Sequence, residues 1–586
     1  MSGEIAIVGY DACLPAGRER VEIDSFLRSG TSAVVDVSRE EMVAAGVPES
    51  DFGREGYVAR SARAAWSPET ARHLAGLTPH ELAITDPQHL LFLDCCIGAL
   101  HDAGMSPDSV RGREIGVVGG IGMGLYAGQS LDSYFTTRLQ RDLAMRDQLA
   151  FPEILIGNSS DHCVGRVSYR LGLIGPSVNV QTACSTALAA VEHAVLLLRS
   201  GRVDTVLAGA AALYFPDRRG YQWERGGILS PTGECRAFDS RADGTVGGSG
   251  GGVFVLRRHE DAVADGNTIH GVIEGVYSAS DGAQRASYAA PAFDGQVRVI
   301  RRAMADASVG PDDIAYVEGH GTGTTVGDIV ELGALHEVFG TRRDPLPVGS
   351  VKPALGHLDT AAGIASLVNV LLGLKRGWMP PTVHFEELNA DAREWIAQPS
   401  FRPVPLPTGT ARVGVSCFGA SGTSVHLVLS AGRARPGEPG DGPDVRGRER
   451  LSIDVGGAAG RAPAPAADEV GGDAGRMSAP APQPAADEAG ANGAARPEDG
   501  PRSRPGREEI VSGLVEVLRQ RGDFAHLSDD QLLEVGLLDF GIDSVDLLAV
   551  VNLIHKRWGV VLEVLDLLTA ENVEAIVDMV EQGLDE

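Results

Sequence analysis

The sequence predicts a layered α/β domain followed by a small helical domain. Short apolar runs with strand character alternate with segments of helical periodicity along residues 1–431, and this alternation is typical of α/β domains. A stretch rich in Ala, Gly and Pro then separates these residues from a helical C-terminal segment. The predicted strands cover residues 5–8, 115–118, 205–208, 252–256, 315–318, 412–416 and 425–429.

The separating stretch, residues 432–505, is predicted to be a disordered linker. It contains no aromatic residue and repeats Ala-Pro pairs, as at 462–465 and 479–482. Such a composition cannot bury enough apolar surface to offset the entropy of the chain. A flexible coil of this length spans about 40–50 Å on average, so the linker can act as a tether.

The last part, residues 506–586, is predicted to be a small all-α bundle. Helical patterns cover residues 508–520, 544–558 and 572–582, and each carries an apolar stripe. From Arg507 onward there are five Lys or Arg against 18 Asp or Glu, a net charge of −13 out of −28 for the chain. An acidic helical domain of this kind is suited to docking on basic enzyme surfaces.

Composition also excludes several classes of protein. A net charge of −28 argues against nucleic-acid binding, and no apolar run is long enough to span a bilayer. The chain enters a predicted strand without a secretory leader, which favours a cytoplasmic location. The seven cysteines lack metal-type spacing, so we expect no metal site and a reducing compartment.

Cys184 is the first candidate for catalysis. It lies in Gln-Thr-Ala-Cys-Ser-Thr-Ala-Leu at 181–188, between a strand-type run and a helical run. A helix N-terminus presents free N–H groups and partial positive charge, which lowers a thiol pKa and provides a site for an oxyanion. The alternative is a small buried core cysteine, which is a common role for a free thiol.

Two histidine motifs favour the catalytic interpretation. His320 lies in Glu-Gly-His-Gly-Thr-Gly-Thr at 318–324, and His357 lies in Val-Lys-Pro-Ala-Leu-Gly-His at 351–357. A lone histidine is usually a satisfied core or surface residue. Two histidines in Gly-rich turns downstream of a turn cysteine instead suggest acyl transfer with stabilisation of an enolate.

Further motifs extend the pattern from residue 5 to residue 429. They are Ile-Ala-Ile-Val-Gly at 5–9, Asp-Pro-Gln at 86–88, Gly-Arg-Val-Ser-Tyr at 165–169, Gly-Ile-Leu-Ser-Pro at 227–231, Cys-Arg-Ala-Phe-Asp at 235–239 and Gly-Val-Ser-Cys-Phe-Gly at 414–419. With these motifs in this order, the chain resembles the β-ketoacyl synthases of the thiolase superfamily, in particular the ketosynthase domains of modular polyketide synthases. The resemblance implies a thiolase-like αβαβα fold of two similar halves that acts as a homodimer.

The resemblance also implies residue roles. Cys184 would accept an acyl chain, while His320 and His357 would bind the extender thioester, promote its decarboxylation and stabilise the enolate. Lys352 would hydrogen-bond around the histidines, which makes it the fourth catalytic candidate. The supporting positions that match the family are the acidic pair Asp328 and Glu331, the pantetheine-binding Thr322 and Thr324, and Ala420, whose backbone N–H would join that of Cys184 in an oxyanion hole.

Several positions depart from the family pattern. Ala420 stands where fatty-acid enzymes have a gating phenylalanine, and a small residue there fits the polyketide branch. Ser424 replaces the usual asparagine, and His89 stands where arginine is common. Ser-Ala-Ser-Asp-Gly at 278–282 lacks the paired asparagines of the family, and the loop at 247–252 lacks its usual acidic residue.

A second resemblance covers the C-terminal segment. Ser544 lies in Phe-Gly-Ile-Asp-Ser-Val-Asp at 540–546 at the start of a helical run, and an isolated serine there would simply be an N-cap. The surrounding 80 or so residues resemble an acyl carrier protein. The resemblance implies that 4′-phosphopantetheine is attached covalently to Ser544 by a separate phosphopantetheinyl transferase.

Together these features predict a ketosynthase–carrier didomain of a polyketide or related specialised assembly line. The expected reaction is a decarboxylative Claisen condensation between an acyl group on Cys184 and an extender on Ser544 or on a partner carrier. A separate acyltransferase and other assembly-line carriers would supply the substrates. Two alternatives remain open: a non-elongating ketosynthase that only transfers or decarboxylates acyl groups, and a carrier scaffold that recruits tailoring enzymes.

Overall fold

The computed structural model describes most of the two predicted folded parts. The described residues are 3–68, 77–123, 156–214, 219–283, 285, 290–432, 505–521, 528–534, 544–560, 562, 566–567, 570 and 572–584. Almost all of the predicted linker, residues 433–504, lies outside them.

Strands and helices alternate throughout residues 3–432. The described strands are β1 Ile5–Cys13, β2 Val35–Asp36, β3 Tyr57–Val58, β4 Arg60–Ser61, β5 Ile115–Ile121, β6 Ser177–Asn179, β7 Thr205–Ala212, β8 Tyr221–Gln222, β9 Gly250–Arg258, β10 Gly271–Ser280, β11 Ile314–Glu318, β12 Leu346–Gly349, β13 Trp378–Met379, β14 Ala397–Pro399, β15 Val404–Pro405, β16 Arg412–Phe418 and β17 Thr423–Ala431. The described helices of this part are α1 Arg20–Ser29, α2 Arg39–Ala44, α3 Glu49–Phe52, α4 Pro79–Ile84, α5 Pro87–Asp102, α6 Pro107–Val110, α7 Asp161–Leu171, α8 Thr186–Arg199, α9 His259–Ala264, α10 Phe293–Asp306, α11 Thr325–Phe339, α12 Lys352–Leu355 and α13 Ala362–Arg376.

A large mixed sheet consists of two similar halves. Its order among the described strands is β14-β12-β11-β16-β17-β10-β1-β9-β7-β5-β6. In one half β5 is parallel to β6 and β7, and β9 is antiparallel to β7 and β1. In the other half β11 is parallel to β12 and β16, and β17 is antiparallel to β16 and β10. The two halves join where β1 pairs with β10. This duplication confirms the predicted thiolase-like fold.

Helices cover the outer faces of the two sheet halves and also form a layer between the halves. The central pair is α8 and α13, which pack against each other and against strands of their own halves. Both helices are apolar on nearly all sides, and residues 362–374 of α13 are buried without exception. A helix that is hydrophobic all round belongs in a core. Outside the sheet, α5 packs on β1 and β9 while α10 packs on β10 and β17, which gives the αβαβα layers.

All seven predicted strands of this domain are present, and several others were not predicted. Long β10 escaped prediction because Gly271, Glu274 and Gly275 interrupt its apolar alternation. Short β12 and β14 carry Pro347 and Pro399, which weaken a strand pattern read from sequence alone. Of the two, β14 is the edge strand, where proline is tolerated, and β12 is paired on both sides, with β14 and β11.

The C-terminal segment is helical, as predicted. Its described helices are α14 Arg507–Arg521, α15 Asp529–Leu533, α16 Ser544–Trp558 and α17 Val573–Gly583. Apolar side chains of these helices share one core, which includes Leu514, Ile554 and Val577. Within the described residues, no helix of the chain combines the length and apolarity required to cross a bilayer.

Candidate active site

The predicted nucleophile lies in a strained turn between β6 and α8. Cys184 is the middle residue of a 3-10 turn, Ala183–Ser185, and Ala183 adopts a left-handed φ of 54°. Two local hydrogen bonds fix this turn: the Thr182 N–H donates to Thr186 Oγ1 at 2.9 Å, and Ser185 Oγ donates to the Thr182 carbonyl at 2.8 Å. Backbone strain at such a turn is characteristic of functional sites.

The surroundings of Cys184 correct one expectation from the sequence. Burial and the neighbouring Asp359 carboxylate raise the thiol pKa to about 11. The N–H groups of Ala420 and Cys184 and the Lys352 ammonium lower the pKa, but they do not outweigh burial. The net shift of the Cys184 pKa is therefore upward, opposite to the direction predicted from the helix N-terminus, and it favours the protonated thiol at neutral pH. The N–H groups of Ala420 and Cys184 nevertheless lie next to the Cys184 sulfur. An oxyanion hole for an acyl group on that sulfur requires donors at this place.

A second turn of the same kind occupies the equivalent place in the other half. The 3-10 turn Asp359–Ala361 precedes α13 as the Cys184 turn precedes α8, and Asp359 has a left-handed φ of 46°. The two turns pack against each other. His357, two residues earlier, is held by its backbone N–H to the Val246 carbonyl at 2.7 Å. Its carbonyl accepts from the Gly248 N–H at 2.8 Å.

Those bonds give a structural role to the glycine-rich stretch at 247–252, which departs from the family pattern and runs into the start of β9. A Cβ on Gly250 would lie 2.5 Å from Leu358 Cδ2, and one on Gly252 would lie 2.5 Å from Ile364 Cγ2. Side chains at these positions would displace the segment that carries His357. The glycines thus allow the close approach of backbone and α13 on which the histidine depends.

The ring of His357 has a defined proton position. Its Nδ1 accepts from the Asp359 N–H at 3.0 Å, and burial together with Lys352 lowers the ring pKa to about 3. The neutral ring therefore carries its proton on Nε2, which can donate to a substrate oxygen. The His320 pKa is also lowered well below its usual value by burial, by Lys352 and by His357. Both histidines are neutral donors rather than acids at pH 7.

The two rings lie side by side. Their centroids are 5.7 Å apart and their planes are perpendicular, and Phe418 packs on the other side of His320 at 5.6 Å. Nδ1 of His320 is buried without a hydrogen-bond partner in the described part of the chain. The sequence prediction that these histidines share one site is consistent with this arrangement.

Acidic side chains fix the backbone of the His320 turn. Glu331 accepts from the N–H groups of His320 at 2.6 Å and Gly321 at 2.8 Å. Asp328 accepts from the N–H groups of Thr322 and Gly323, each at 3.1 Å. Burial raises the pKa of both carboxyl groups, to about 7 for Asp328. The acidic pair thus contacts main chain and shapes the turn.

Lys352 links the two histidine motifs. It is buried, and its ammonium donates to the carbonyl oxygen of His320. Glu318 lies near Lys352. Its carboxyl accepts from the Val351 N–H at 2.8 Å and from Asn369 Nδ2 at 3.0 Å. No role was predicted for Glu318, although it begins the His320 motif, or for Asn369, which lies on α13 outside any motif.

Thr322 and Thr324 stand together in the same turn. Their hydroxyl oxygens are 3.0 Å apart, so they form a polar pair next to His320. The other predicted contact, Ala420, lies in the turn between β16 and β17 and brings its N–H to Cys184. The structure therefore places Cys184 and His357 at two adjoining turns, with the Ala420 N–H at Cys184 and the His320 ring beside that of His357.

A small, open cavity adjoins the nucleophile turn at Asp359. Its lining includes Asp359 and Tyr214, both of which interact electrostatically with Cys184, and also Gln88 and Arg219. Burial and Asp359 raise the pKa of the Tyr214 hydroxyl above its usual value, so the phenol stays protonated. Tyr214 and Arg219 were not predicted, because no sequence motif contains them.

Ser544 is the first residue of α16. The N-terminus of a helix offers free N–H groups and partial positive charge, and it therefore suits a phosphodiester on that serine. The preceding residues 535–543, including Asp543, lie outside the described residues. Within the described residues, no cluster of side chains has the composition of a metal site.

Comparison with known proteins identifies the family of both parts. Residues 2–262 match the model of the β-ketoacyl synthase N-terminal domain, and residues 270–386 match that of the C-terminal domain. Residues 521–580 match the phosphopantetheine attachment site. The carrier and its covalent 4′-phosphopantetheine, predicted from sequence, are thereby confirmed at the level of the domain.

Relatives come from polyketide synthases. A phenolphthiocerol/phthiocerol polyketide synthase of Mycobacterium tuberculosis is 37% identical over 444 residues, which cover 74% of this chain and 29% of the relative. Polyketide synthase GfsA of Streptomyces halstedii is 36% identical over 441 residues, 73% of this chain and 6% of that protein. The chain thus spans less than a third of the length of either relative.

A solved structure agrees with the fold and the sequence relationship. Ketosynthase twelve from the bacillaene polyketide synthase of Bacillus amyloliquefaciens superposes with a TM-score of 0.66 at 29% identity. The match covers 74% of this chain and 76% of that one. The two ketosynthase matches together cover more than half of the chain, and this chain therefore belongs to the β-ketoacyl synthase family, with a phosphopantetheine-attachment domain near its C-terminus.

Proposed function

We propose that this chain condenses an acyl group held on Cys184 with an extender unit, with loss of CO2 from the extender. The observation that carries the proposal is the pair of neutral imidazoles, His320 and His357, beside a cysteine that faces two backbone N–H groups. Two sets of donors serve two carbonyl oxygens, one for each partner of the condensation.

The first step loads Cys184. Its sulfur attacks the carbonyl carbon of an incoming acyl thioester, and the N–H groups of Cys184 and Ala420 stabilise the tetrahedral oxyanion. The C–S bond to the incoming thiol then breaks, and the proton of the Cys184 thiol ends on that leaving thiol. Because the Cys184 pKa is about 11, the rate of this step should rise with pH.

The second step uses the histidines. An extender carboxylate leaves as CO2, and its bonding electrons pass to the thioester as an enolate whose oxygen accepts from His357 Nε2–H and from His320. The enolate carbon attacks the acyl carbon on Cys184, and the bond between that carbon and the Cys184 sulfur breaks. The released Cys184 thiolate then takes a proton. Lys352 supports the step by fixing the His320 carbonyl.

The carrier delivers the extender. We assign the attachment to Ser544, where the bound arm supplies a terminal thiol that carries acyl groups as thioesters. Thr322 and Thr324, a hydroxyl pair 3.0 Å apart, would accept and donate along that arm. The division into a ketosynthase at 1–431, a linker at 432–505 and a carrier at 506–586 is supported by the end of β17 at Ala431 and the start of α14 at Arg507.

The cavity beside Cys184 favours an acyl chain with polar groups near the thioester. Asp359 supplies an acceptor, while Arg219 and the protonated Tyr214 supply donors. A purely aliphatic chain would leave these groups desolvated without compensation, and that costs about 1–3 kcal/mol per unpaired group. A donor with a hydroxyl or carbonyl close to the thioester would therefore acylate Cys184 faster than an alkanoyl donor of equal length.

The functional unit would be a homodimer formed at the edge of the sheet. Strand β6 lies at an edge of the described sheet, and its neighbours include the exposed side chains of Tyr169 and Ile174, which are 80% and 65% exposed. Exposed apolar residues beside an edge strand favour pairing with a second copy.

Further partners would be a separate acyltransferase, a phosphopantetheinyl transferase and other carriers. The compartment would be the cytoplasm, whose reducing conditions suit seven free cysteines.

Two variants test the proposal. Cys184→Ala should abolish the new carbon–carbon bond while extender CO2 is still released, because the histidines remain. His357→Ala should retain acylation of Cys184 and lose both CO2 release and product. Release of labelled CO2 and the mass of the carrier-bound product would be measured in parallel. Wild-type protein that acylates Cys184 but forms no product would move the function to acyl transfer alone, and a pathway unaffected by Cys184→Ala would favour a carrier scaffold.

A further inference from the structure

The turn that brings the Ala420 N–H to Cys184 is stabilised only weakly by its own side chains. It joins β16 to β17, and Ala420 itself is exposed. Inside the turn, the Gly422 N–H donates to the Gly419 carbonyl at 2.8 Å. Gly419 lies so close to Thr182 and Ser185 that a Cβ there would clash with the nucleophile turn. Any shift of this turn therefore changes the distance from the Ala420 N–H to the sulfur.

The side chain of Arg285 holds the turn from outside. Nη2 of Arg285 donates to the Ala420 carbonyl at 2.9 Å, and its Nε donates to the Ala290 carbonyl at 3.0 Å. The guanidinium also packs on Gly422, where a Cβ would collide with it. The Arg285 side chain is only 7% exposed. A charged donor binds a carbonyl more strongly than a neutral donor does.

Asp281 completes the contact from the end of β10. Its backbone N–H donates to the Gly422 carbonyl at 2.9 Å, and its carboxylate lies 3.8 Å from Arg285 Nε. Ser424 Oγ donates to the same carboxylate at 3.3 Å. Ser424 and the segment around Asp281 are two of the departures from the family pattern. The structure therefore joins these departures, Arg285 and the Ala420 turn in one network.

We propose that Arg285 is a positioning residue that holds the Ala420 N–H at the oxyanion of Cys184 acylation. The inference rests on the proposed function and concerns its first step. Arg285 bonds the carbonyl of Ala420, whereas the catalytic donor belongs to the preceding peptide group. The arginine therefore acts by fixing the turn and touches no reacting atom.

The proposal separates two activities that a general loss of structure would affect together. Acylation of Cys184 uses the Ala420 N–H, whereas decarboxylation of the extender uses His320 and His357. Loss of one oxyanion donor lowers a rate by about 100- to 1000-fold, so loosening that donor should cost about 10-fold. Decarboxylation should remain at the wild-type rate.

The test uses the full chain with Arg285→Met, Arg285→Lys and, as a matched control, Arg301→Met. Arg301 is 54% exposed on α10 and pairs with Glu337 at the surface. Single-turnover acylation by a short acyl thioester would be followed by intact mass, and CO2 release from a malonyl thioester would be followed separately. We expect about 10-fold slower acylation at saturation for Arg285→Met, an unchanged half-saturation concentration and unchanged CO2 release.

Arg285→Lys keeps the cation and one donor group, so its acylation rate should lie between those of Arg285→Met and wild type. Arg301→Met should match wild type in both assays. Acylation at the wild-type rate in Arg285→Met would overturn the inference, as would equal losses of acylation and CO2 release. Failure of the wild-type protein to acylate Cys184 would instead count against the proposed function.

Discussion

The backbone N–H of Asp359 donates to Nδ1 of His357 at 3.0 Å. This bond places the proton of the neutral imidazole on Nε2 and aims a donor away from the backbone that holds the ring. Asp359 can adopt the left-handed φ of 46° that the bond requires, because aspartate and asparagine tolerate that region. The same residue also raises the Cys184 pKa, so one turn tunes both the nucleophile and a histidine donor.

The first prediction concerns the donor role of His357. Glutamine can place an amide N–H near the position of Nε2, whereas alanine leaves no donor. His357→Gln should therefore retain more CO2 release from a malonyl thioester than His357→Ala, whose rate should fall about 100- to 1000-fold. Acylation of Cys184 is the internal control, since it does not use this ring. Equal rates of CO2 release in the two variants would argue against a hydrogen-bond donor here.

The second prediction concerns Cys184. Because its pKa is raised to about 11, alkylation by iodoacetamide should accelerate about 10-fold per pH unit between pH 7 and 10, with no plateau. Removal of the neighbouring carboxylate by Asp359→Asn should lower the thiol pKa and move the profile to lower pH. Asparagine keeps the left-handed turn and its N–H. A profile that reaches its plateau near pH 8 in wild-type protein would contradict the burial argument.

A third prediction follows from Glu318. Burial raises its pKa to about 8 in the folded protein, whereas an unfolded glutamate has a pKa of about 4.3. The folded state therefore binds an extra proton between these values, and its stability falls as pH rises through this window. Glu318→Gln removes the titration and resembles the protonated acid. The variant should therefore become more stable relative to wild type as the pH rises from about 5 to about 8. The difference between their free energies of unfolding should change by up to about 1.4 kcal/mol per pH unit.

Urea unfolding of both proteins at several pH values measures that difference. Parallel stability curves for wild type and Glu318→Gln would show that Glu318 is ionised in the folded state. The Glu318–Lys352 neighbourhood would then be a buried ion pair.

The fourth prediction concerns Gly252 at the start of β9, in the glycine-rich stretch near His357. A Cβ on Gly252 would lie 2.5 Å from Ile364 Cγ2 and 2.9 Å from the Asp11 carbonyl oxygen. Gly252→Ala should therefore lower the free energy of unfolding by about 1–3 kcal/mol. Gly310→Ala is the control, because the nearest atom to a Cβ there is Asp313 Oδ2 at 3.6 Å. Equal unfolding midpoints for the two variants would show that the sheet accommodates a Cβ at Gly252 without loss of stability.

Motif spacing predicted much of the site because its chemistry depends on short local turns. Cys184, His320, Lys352 and His357 each lie in a segment whose glycines and small residues fix the turn from within. The duplication of the fold was predicted only through the family resemblance. No repeat is visible in the sequence, because equivalent strands such as β1 and β10 share a place in the sheet without sharing residues.

Other features depend on distant parts of the chain and could not be predicted from local sequence. The direction of the Cys184 pKa shift was predicted wrongly because burial and Asp359 arise from tertiary packing. Asn369 contacts Glu318 from the middle of an apolar helix, and Arg285 reaches Ala420 across 135 positions of the sequence. Each of these contacts requires the folded sheet to bring the partners together.

The central claim, that this chain joins the acyl group on Cys184 to an extender on its own carrier through a new carbon–carbon bond, can be tested by intact-protein mass spectrometry. The full chain would be phosphopantetheinylated, malonylated on the carrier and given a short acyl thioester, with Cys184→Ala and Ser544→Ala as controls. We expect a carrier that gains the acyl group and loses CO2, and no such product in either variant. Acyl transfer to Cys184 without that product, or CO2 loss without the new bond, would contradict it.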